Sequence, residues 1–488
     1  MKLPELGVGL TWALGLESVV EANAGLIDVL EVEPQSLWRR RTVDLSNAVN
    51  FEVDLPSLAA LQQRPIPKLV HSVNFPVGGT LTPSLAELEP LGVIVRELGA
   101  PWTSEHLAFH RPEDESGSWN AGMLLSPRQT LAGVEAAAHS IRAFASCVPS
   151  PVAIEAGANY LRRLPDDLPD GEFVARVAEA ADCGILLDLH NAWTNDRNGR
   201  QSIGDFIEQL PLDRVWEIHL SGGHLHRGYW LDSHSGTIPL DLLELAARIV
   251  PRLPNLKAII FELAPSSLPK VGEPAIRMQL ESLHRLWDRR NTSSIPEAPL
   301  RSEPAAYDPS PSPREWENTL AALAVRKPCR TPLAIDLHVD PGLRVLREMV
   351  ERSRSAMIVH TLRLTSRLIM LERGAAYFEQ LLVHFWRTHT PAWSAREEAE
   401  TFAAYLRESN PYVPFLTEIL EYDCAVLAVS AGGEERSISF SADPLPLLAA
   451  LGAGRRPTEI ATGEFEIRLT PDQVGAQAAG LPEISWPH

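Results

Sequence analysis

The chain has 488 residues, more than one hydrophobic core usually supports, so we expect two or more domains. Its formal net charge of -19 argues against nucleic acid as the main partner, because phosphate binding needs a basic surface. The four scattered cysteines form no CxxC pair, which argues against a disulfide framework or a thiolate zinc site and fits a reducing compartment. With no apolar run long enough to span a bilayer and no signal-peptide pattern, we expect a cytoplasmic protein without a membrane partner.

The first 290 residues alternate between short apolar segments and helical patterns. Eight segments are predicted as strands, at residues 7–12, 27–34, 68–74, 102–107, 152–157, 184–191, 215–221 and 256–263. Helical periodicity lies between most of them, at residues 84–99, 130–145, 172–183, 203–209 and 240–250. This alternation indicates parallel βα units, and eight of them favour an α/β fold of the (β/α)8 TIM-barrel type. An open doubly wound sheet is the alternative, although its nucleotide-binding form lacks the expected GxGxxG or Walker-type loop.

A change in composition ends this first domain, which we predict to cover residues 1–290. Residues 291–313 are rich in Pro, Ser, Ala and Glu and predict a linker, since such a segment cannot bury enough apolar surface to order itself. For residues 314–488 we expect a second, mostly helical domain with a small β element. Its helices are predicted at residues 315–325, 342–352, 357–372, 375–387, 395–408 and 415–429, and its strands at 437–440 and 464–469.

Polar residues end most of the predicted strands, and the run 184–191 ends in an acid, a histidine and an amide. Residues i and i+2 of a strand share a face, so Asp188 and His190 are expected to point the same way. In a barrel these strand ends meet at one rim, where the active site of this fold is built. The candidate site residues are His71, His106, Glu155, Asp188, His190, Asn191, His219, Asp232, His234 and Glu262.

So many acids and imidazoles at one rim need compensation, because uncompensated buried charge is costly, and metal ions are the simplest form of it. Nitrogen and oxygen donors without cysteine suit iron, manganese, zinc or nickel, and bridging carboxylates would allow two or three ions. We expect Glu105 to point away from His106 and to be structural. Glu31 and Glu33 either hold a metal ligand in place or are ion-paired, and ion pairing is favoured. For His224 three roles stay open: a ligand, a hydrogen-bond partner of a ligand, or a loop residue.

An ordered set of motifs covers most of residues 5–290: Leu69-Val-His71-Ser-Val, Thr103-Ser-Glu-His106-Leu, Ile154-Glu155, Leu186-Leu-Asp188-Leu-His190-Asn191, Ile218-His219-Leu-Ser-Gly222, Asp232-Ser-His234 and Phe261-Glu262. No single motif is decisive, but the ordered set resembles the multinuclear non-haem iron-dependent oxidases, to which the methanobactin-biosynthesis oxidase belongs. The resemblance implies a xylose-isomerase-like barrel, two or three iron ions cycling between Fe2+ and Fe3+, and O2 as co-substrate.

The resemblance also implies which residues bind iron. The implied ligand positions are His71, His106, Glu155, Asp188, His219, Asp232, His234 and Glu262, with a further ligand from the His190–Asn191 pair. The chain departs from the family pattern in three places. Ala156 stands where members commonly have Asn, the pair His190-Asn191 is often Asn-Asn, and the loop after His219 is one residue longer before His224.

The second region weakly resembles the family's usual partner protein, through Asn410-Pro-Tyr-Val-Pro-Phe-Leu and Leu420-Glu-Tyr-Asp. That partner helps to bind the precursor peptide. The resemblance implies a fused peptide-binding domain that replaces a separate partner protein and holds the peptide at high effective concentration. A generic helical domain is the alternative.

The leading hypothesis is therefore an iron- and O2-dependent oxidative modification of a ribosomally made precursor peptide, at a cysteine. A zinc- or manganese-dependent hydrolase or isomerase on the same barrel is the alternative. A non-catalytic scaffold that binds a peptide beside a vestigial barrel ranks last, because so many ionisable side chains would be costly to keep folded without metal.

Overall fold

The computed structural model describes residues 3–41, 50–115, 117–295, 297–302, 311–430 and 432–471. Within these ranges the strands, in chain order, are β1 (Gly7–Trp12), β2 (Val29–Val32), β3 (Trp38–Arg41), β4 (Asn50–Val53), β5 (Lys68–Ser72), β6 (Thr103–His106), β7 (Glu113–Asp114), β8 (Gly117–Ser118), β9 (Val152–Glu155), β10 (Gly184–Asp188), β11 (Val215–Ser221), β12 (Gly223–His226), β13 (Tyr229–Asp232), β14 (Ala258–Glu262), β15 (Arg436–Ala442) and β16 (Thr462–Leu469).

The α-helices of the same ranges are α1 (Glu17–Ala22), α2 (Leu55–Gln62), α3 (Leu85–Leu98), α4 (Leu131–Ala145), α5 (Asp170–Ala181), α6 (Leu189–Arg197), α7 (Ile203–Glu208), α8 (Leu240–Ile249), α9 (Leu268–Val271), α10 (Glu273–Trp287), α11 (Pro313–Ala324), α12 (Pro332–His338), α13 (Pro341–Thr361), α14 (Arg363–Arg373), α15 (Ala375–Thr388), α16 (Ala395–Ser409), α17 (Leu416–Ser430) and α18 (Pro444–Gly452). None of the helices in the described part of the chain is long and apolar enough to cross a membrane.

Eight strands close into a barrel in the order β1-β14-β11-β10-β9-β6-β5-β2. Every neighbouring pair is parallel, as expected when helices return the chain between successive strands. These strands lie within the eight predicted segments, so the predicted TIM barrel is confirmed. The helices that were not predicted are α1, α2, α6, α9, α10, α12 and α18, and the two-stranded sheets that were not predicted are β3–β4, β7–β8 and β12–β13.

The two faces of the barrel strands pack into separate apolar layers. Outward residues such as Ile185 and Leu187 belong to the large core between strands and helices. Inward residues such as Leu69, Trp102 and Leu186 form a smaller cluster of their own. Successive side chains alternate between faces, so a residue two positions beyond an inward apolar side chain also points into the barrel.

The chain divides into two compact units. The first comprises Met1–Trp119, Leu124–Leu323 and Cys329–Leu346, and the second comprises Asn120–Met123, Ala324–Pro328 and Arg347–His488. The first unit therefore takes in most of α11 and all of α12, which follow the predicted linker. Residues 303–310 of that linker, and residues 472–488 of the predicted second domain, lie outside the described residues.

The second unit has its own core, built from α13 to α18 and the antiparallel hairpin β15–β16. Leu368, Phe385, Phe402 and Ile438 are among its buried residues. This confirms a mostly helical region with a small β element. The break between two predicted helices was placed wrongly at residues 353–356: α13 runs through them, and the chain leaves helical geometry at Leu362 (φ -100, ψ 60).

Within the first unit, α11 is anchored to the loop that follows β5. Glu317, 3% exposed, accepts hydrogen bonds from the backbone N–H of Thr80 at 2.8 Å and from its hydroxyl at 2.6 Å. The indole N–H of Trp316 donates to the carbonyl of Ser126 at 3.0 Å. Residues beyond the predicted linker thus complete the rim of the barrel, because these loops follow the carboxyl ends of its strands.

Glu317 provides a test of this anchor through pH. Burial raises the pKa of Glu317 from 4.5 to about 7, against the opposing effect of the Thr80 hydrogen bonds. The folded chain holds this proton more tightly than the unfolded chain, so stability present below the unfolded pKa is lost as the pH rises through about 7. We expect Glu317→Gln, which keeps both contacts without the charge, to exceed the wild type in free energy of unfolding by about 3 kcal/mol near pH 8.

Urea unfolding of both proteins across pH 4.5 to about 8.5 measures the effect, with the two curves converging at the acidic end. A difference that stays constant with pH would contradict the prediction.

Candidate metal centre

The polar strand ends form an inward-facing layer directly beyond the apolar one. Most of them lie two residues after an inward apolar side chain on the same strand, and strand alternation places both on one face. The pairs are Val29 and Glu31, Leu69 and His71, Ala153 and Glu155, Leu186 and Asp188, and Ile260 and Glu262. The period of two therefore aims these acids and imidazoles into the mouth of the barrel.

His71, His106 and Glu155 form the first group. Oε2 of Glu155 lies 3.1 Å from Nε2 of His71 and 3.2 Å from Nε2 of His106. The other nitrogens are engaged behind the rings: Nδ1 of His71 lies 2.8 Å from the Ser104 hydroxyl, and Nδ1 of His106 lies 3.2 Å from the Ser72 carbonyl. Both rings thus present Nε2 to the interior, as metal-binding histidines do.

His219 is the centre of the second group. Its Nε2 lies 2.9 Å from Oε1 of Glu31, and its Nδ1 lies 3.1 Å from Oε1 of Glu262. The far oxygen of Glu262 lies 3.4 Å from Nε2 of His234. The rings of His71 and His219 are 5.2 Å apart between centroids, so the two groups are neighbours. The expected ion pairing of Glu31 is confirmed.

Asp188 and Asn191 connect these groups from the start of α6. Asp188 is the N-cap of that helix, and its Oδ1 accepts from the backbone N–H of Asn191 at 2.9 Å. The Asn191 amide donates to Asp188 Oδ2 at 2.7 Å and to Glu155 Oε1 at 3.3 Å. The expectation that Asp188 and His190 share a strand face is wrong. The strand ends at Asp188, and His190 belongs to the first turn of the helix.

The hairpin β12–β13 carries the remaining candidates on or near it. Oδ1 of Asp232 lies 3.1 Å from Nδ1 of His190 and 3.3 Å from Nε2 of His234. His224 is exposed, with Nδ1 2.9 Å from the Ser233 hydroxyl. The structure thus brings together every predicted site residue except His224, which stays in the solvent-exposed hairpin.

Glu105 lies on the Nδ1 side of the His106 ring, with its Oε1 3.6 Å from that nitrogen, although it was expected to point away from His106. Its Oε1 accepts from the backbone N–H of His106 at 2.7 Å, and its Oε2 accepts from the backbone N–H of Phe75 at 3.1 Å. Glu33 lies near the site with its Oε2 on the Gln35 amide, and burial raises its pKa. Both acids serve the local backbone and side-chain structure.

Charge balance in the first group depends on its imidazoles. Burial disfavours the charged ring of His106, but Glu155 and Glu105 outweigh burial and raise the pKa of His106 to about 9. Burial likewise disfavours the Glu155 carboxylate, yet His106 and His71 hold its pKa well below the usual range. The carboxylate stays ionised only because positive charge stands beside it.

The second side of the cluster has more acids than bases to balance them. Burial raises the pKa of Asp188 well above its ordinary value, reinforced by the charges of Glu262 and Glu155. Burial also disfavours an ionised Asp232, but His234 outweighs it and lowers the pKa of Asp232. A cation would relieve both the repulsion at Asp188 and the need for protonated histidines.

The donor atoms fit metal ions in their spacing and in their lack of hydrogen bonds. Three groups have donor atoms within 4.8 Å of one another: His71, His106 and Glu155; Glu31, His219 and Glu262; and Glu155, Asp188 and His219. Five buried atoms in these groups and beside them form no hydrogen bond within the described ranges: Glu31 Oε2, Glu155 Oε2, Asn191 Oδ1, His219 Nδ1 and Glu262 Oε2.

The contacts of Glu155 Oε2 with His71 and His106, and the contact of His219 Nδ1 with Glu262, have the same interpretation. The contact of His219 Nε2 with Glu31 is instead a hydrogen bond. Two donors that bind one ion at about 2.1 Å each, at roughly right angles, lie about 3 Å apart. Nitrogen and oxygen atoms near that separation without hydrogen-bond alignment are what a shared ion requires. The set contains imidazole, carboxylate and amide donors, which suits iron, manganese or zinc.

Glu217 is a site neighbour that the sequence analysis missed. It is fully buried two residues before His219 and therefore faces inward, below the donor layer. Trp102 donates its indole N–H to Glu217 Oε2 at 2.9 Å. Burial and the adjacent Glu31 raise the pKa of Glu217 well above its usual range. The period-two rule, applied backwards from His219, would have found it.

Comparison with known proteins identifies the family of this chain. The family model described as RiPP precursor modification enzyme MbnB/TglH/ChrH matches residues 6–273, more than half of the 488 residues. The UPF0276 protein of Streptomyces avermitilis is 26% identical over 293 residues, 59% of this chain and 57% of that protein. The UPF0276 protein Anae109_1558 of Anaeromyxobacter sp. is 29% identical over 206 residues, 42% of this chain and 71% of that protein. The chain thus spans less than two thirds of the Streptomyces relative.

Among solved structures, a xylose isomerase domain protein from Planctomyces limnophilus is 12% identical and covers 59% of this chain and 98% of its own, with a TM-score of 0.38. A TM-score this low adds nothing to the barrel that the strand pairing already establishes. The family match confirms the resemblance to the multinuclear non-haem iron-dependent oxidases.

Proposed function

This chain belongs to the RiPP precursor modification enzyme family MbnB/TglH/ChrH, and from that premise we propose that it oxidatively modifies a ribosomally made precursor peptide. The proposed target is a cysteine, the proposed metal is iron, and the proposed co-substrate is O2. The observation that carries the proposal is the convergence of imidazole, carboxylate and amide donors in one buried layer at the mouth of the barrel.

The proposed ligands of two or three iron ions are His71, His106, Glu155, Asp188, Asn191, His219, Asp232, His234 and Glu262. When bound, iron would supply a site for the substrate thiolate and one-electron chemistry with O2.

The chain's own residues hold these donors in place. Ser104 and Ser72 engage the Nδ1 atoms of His71 and His106, which leaves Nε2 of each ring for the interior. The amide of Asn191 orients Glu155 and Asp188 together. Such outer contacts typically change metal affinity 10- to 100-fold, roughly, when removed.

Burial indicates how a peptide would approach. The side chains of His71 and His219 are 3% and 0% exposed, whereas His234 is 35% exposed and Asp232 is 19% exposed. A substrate therefore meets the cluster from the side of His234. His106 is 16% exposed, and the other members of the layer are buried, which strengthens electrostatic interactions there.

We further propose that the second unit binds the precursor peptide. Fusion to the barrel would raise the effective concentration of the bound peptide at the site, without any new contact to the metal ions. This proposal rests on the weak resemblance of residues 410–423 to the family's partner protein.

Metal analysis and oxygen uptake test the proposed chemistry. Protein purified without oxygen should contain iron, and it should consume O2 only when a cysteine-containing precursor peptide is present. Mass spectrometry should then show an oxidised peptide, and a Cys→Ser peptide should be unchanged. Iron-free protein that acts on its substrate with zinc or manganese under strict oxygen exclusion would instead support a hydrolase or isomerase.

A further inference from the structure

His190 is buried at the centre of a hydrogen-bonded group that uses both of its ring nitrogens. The side chain is 0% exposed. Its Nε2 lies 3.0 Å from the indole nitrogen of Trp230. Its Nδ1 lies 3.1 Å from Oδ1 of Asp232 and 2.9 Å from the Ser221 hydroxyl. Neither nitrogen is left for another ligand.

The Trp230 contact fixes the tautomer of His190. An indole N–H can only donate, so Nε2 of His190 must accept and carries no proton. The ring proton of the neutral imidazole then sits on Nδ1, where it faces the carboxylate of Asp232 and the hydroxyl of Ser221. His190 thus donates towards Asp232, and its ring orientation is held from the opposite side by Trp230.

Helix α6 holds the hairpin β12–β13 by further contacts around this ring. Asn198, the C-cap of α6, donates to the Trp230 carbonyl at 3.0 Å and accepts from the Trp230 backbone N–H at 2.8 Å. Trp193 packs edge-on against Trp230 with ring centroids 5.1 Å apart. The backbone N–H of Asp232 donates to the hydroxyl of Tyr160 at 3.1 Å. Asp232 is therefore held through both its backbone and its side chain.

Asn191 has the opposite character. Its amide nitrogen is used by Glu155 and Asp188, but its Oδ1 is buried and makes no hydrogen bond. A buried amide oxygen without a hydrogen bond, beside two carboxylates of the cluster, is suited to bind a cation. Asn191 thus offers a ligand atom, whereas His190 offers a hydrogen-bond donor that can orient a neighbouring side chain.

We propose that His190 is a positioning residue that sets the orientation of Asp232 towards the metal ions, and that Asn191 is the ligand of the pair. The proposal rests on the proposed metal-dependent function and says how this chain accommodates histidine where an amide is common in its family. Asp232 stands between the fixed ring of His190 and the half-exposed ring of His234, so loss of the His190 donor lets its carboxylate turn away from the cluster.

Two substitutions separate an orienting donor from a ligand. In His190→Asn the amide nitrogen takes the place of Nδ1 and can donate to Asp232, but no atom takes the place of Nε2, the unprotonated ring nitrogen through which His190 would have to bind a metal ion. In His190→Leu the volume is kept and the donor is lost. We expect anaerobic chelator competition to give an Fe2+ affinity within about 3-fold of the wild type for His190→Asn, and about 10- to 100-fold weaker for His190→Leu.

Trp230→Phe and His139→Leu extend the comparison. The first removes the indole N–H that fixes the ring, together with part of the aromatic surface that packs against Trp193, and leaves the His190 ring itself in place. We expect a loss of Fe2+ affinity smaller than that of His190→Leu. The second removes an exposed histidine of α4 and should leave the affinity unchanged. Equal losses in His190→Asn and His190→Leu would show that His190 is a ligand and would overturn the proposal.

Nitrogen-15 spectra of histidine-labelled, metal-free protein provide a readout that needs no iron. The resonance lost in His190→Asn should have the pattern of a ring protonated at Nδ1. A pattern of Nε2 protonation would overturn the proposal even if iron binds. A wild-type protein that binds no Fe2+ would overturn the proposed function and, with it, the role of His190 at the metal ions.

Discussion

Replacing Glu155 by glutamine will remove most of the bound iron and reduce peptide modification by about 100-fold or more. Glu155 belongs to two of the three donor groups and is the side chain that joins them. Its Oε2 lies 3.1 Å from His71 and 3.2 Å from His106, and its Oε1 accepts from Asn191. Loss of contacts to ligands already costs about 10- to 100-fold in affinity, and loss of a shared ligand should cost more.

Iron content by elemental analysis and the initial rate of peptide oxidation measure this effect. Glu281→Gln is the matched control, since Glu281 is an exposed residue of α10 and should change neither quantity. Melting temperatures of the metal-free proteins separate loss of metal from loss of fold. Glu155→Gln protein that keeps full iron and full activity would remove Glu155 from the proposed ligand set.

Replacing Glu398 by alanine should destabilise the second unit by about 3–5 kcal/mol, because it leaves a buried charge without its partner. Arg354, 1% exposed, donates from Nε to Glu398 Oε1 at 2.6 Å and from its other nitrogens to the carbonyls of His389 and Thr390. The second oxygen of Glu398 accepts from the backbone N–H of Ala392 at 2.8 Å. The pair therefore ties α13 and α16 to the segment between α15 and α16.

Urea unfolding, with hydrogen exchange of α13 and α16 to locate the change, measures the loss. Glu400→Ala on the same helix breaks the exposed Arg396–Glu400 pair and should cost no more than about 0.5 kcal/mol. The double variant Arg354→Met/Glu398→Leu should recover most of the stability, since an apolar pair needs no charge compensation. Equal losses in Glu398→Ala and Glu400→Ala would contradict the prediction.

The barrel could be predicted from the sequence because each strand is recognisable from its own hydrophobic pattern. Apolar runs such as those ending at Glu155 and Glu262 have the length and the flanking helical patterns of parallel βα units. The convergence of their polar ends then follows from the architecture alone. The candidate donors could therefore be named from the sequence, and which of them bind a metal ion stays a prediction.

The start of α6 could not be read in the same way. Asp188 is both the last residue of β10 and the N-cap of α6. In sequence, an acid that caps a helix cannot be distinguished from a polar residue at the end of a strand. The strand period of two was therefore applied two residues beyond the end of β10. It gave His190 the wrong side-chain direction, because His190 lies in the first turn of α6. Its proposed role depends on the contact with Trp230, forty residues later, in a hairpin whose short strands resemble loop sequence.

The alternation of faces in the barrel strands has a consequence for how this centre can change in evolution. Inserting or deleting one residue within a strand, upstream of its donor, would turn that donor outward towards the surrounding helices, because side chains alternate with a period of two. The strands can therefore tolerate exchange of one residue for another but not a change of length. The loops beyond the donors escape this constraint, so differences in substrate choice among relatives should accumulate there as gaps and additions.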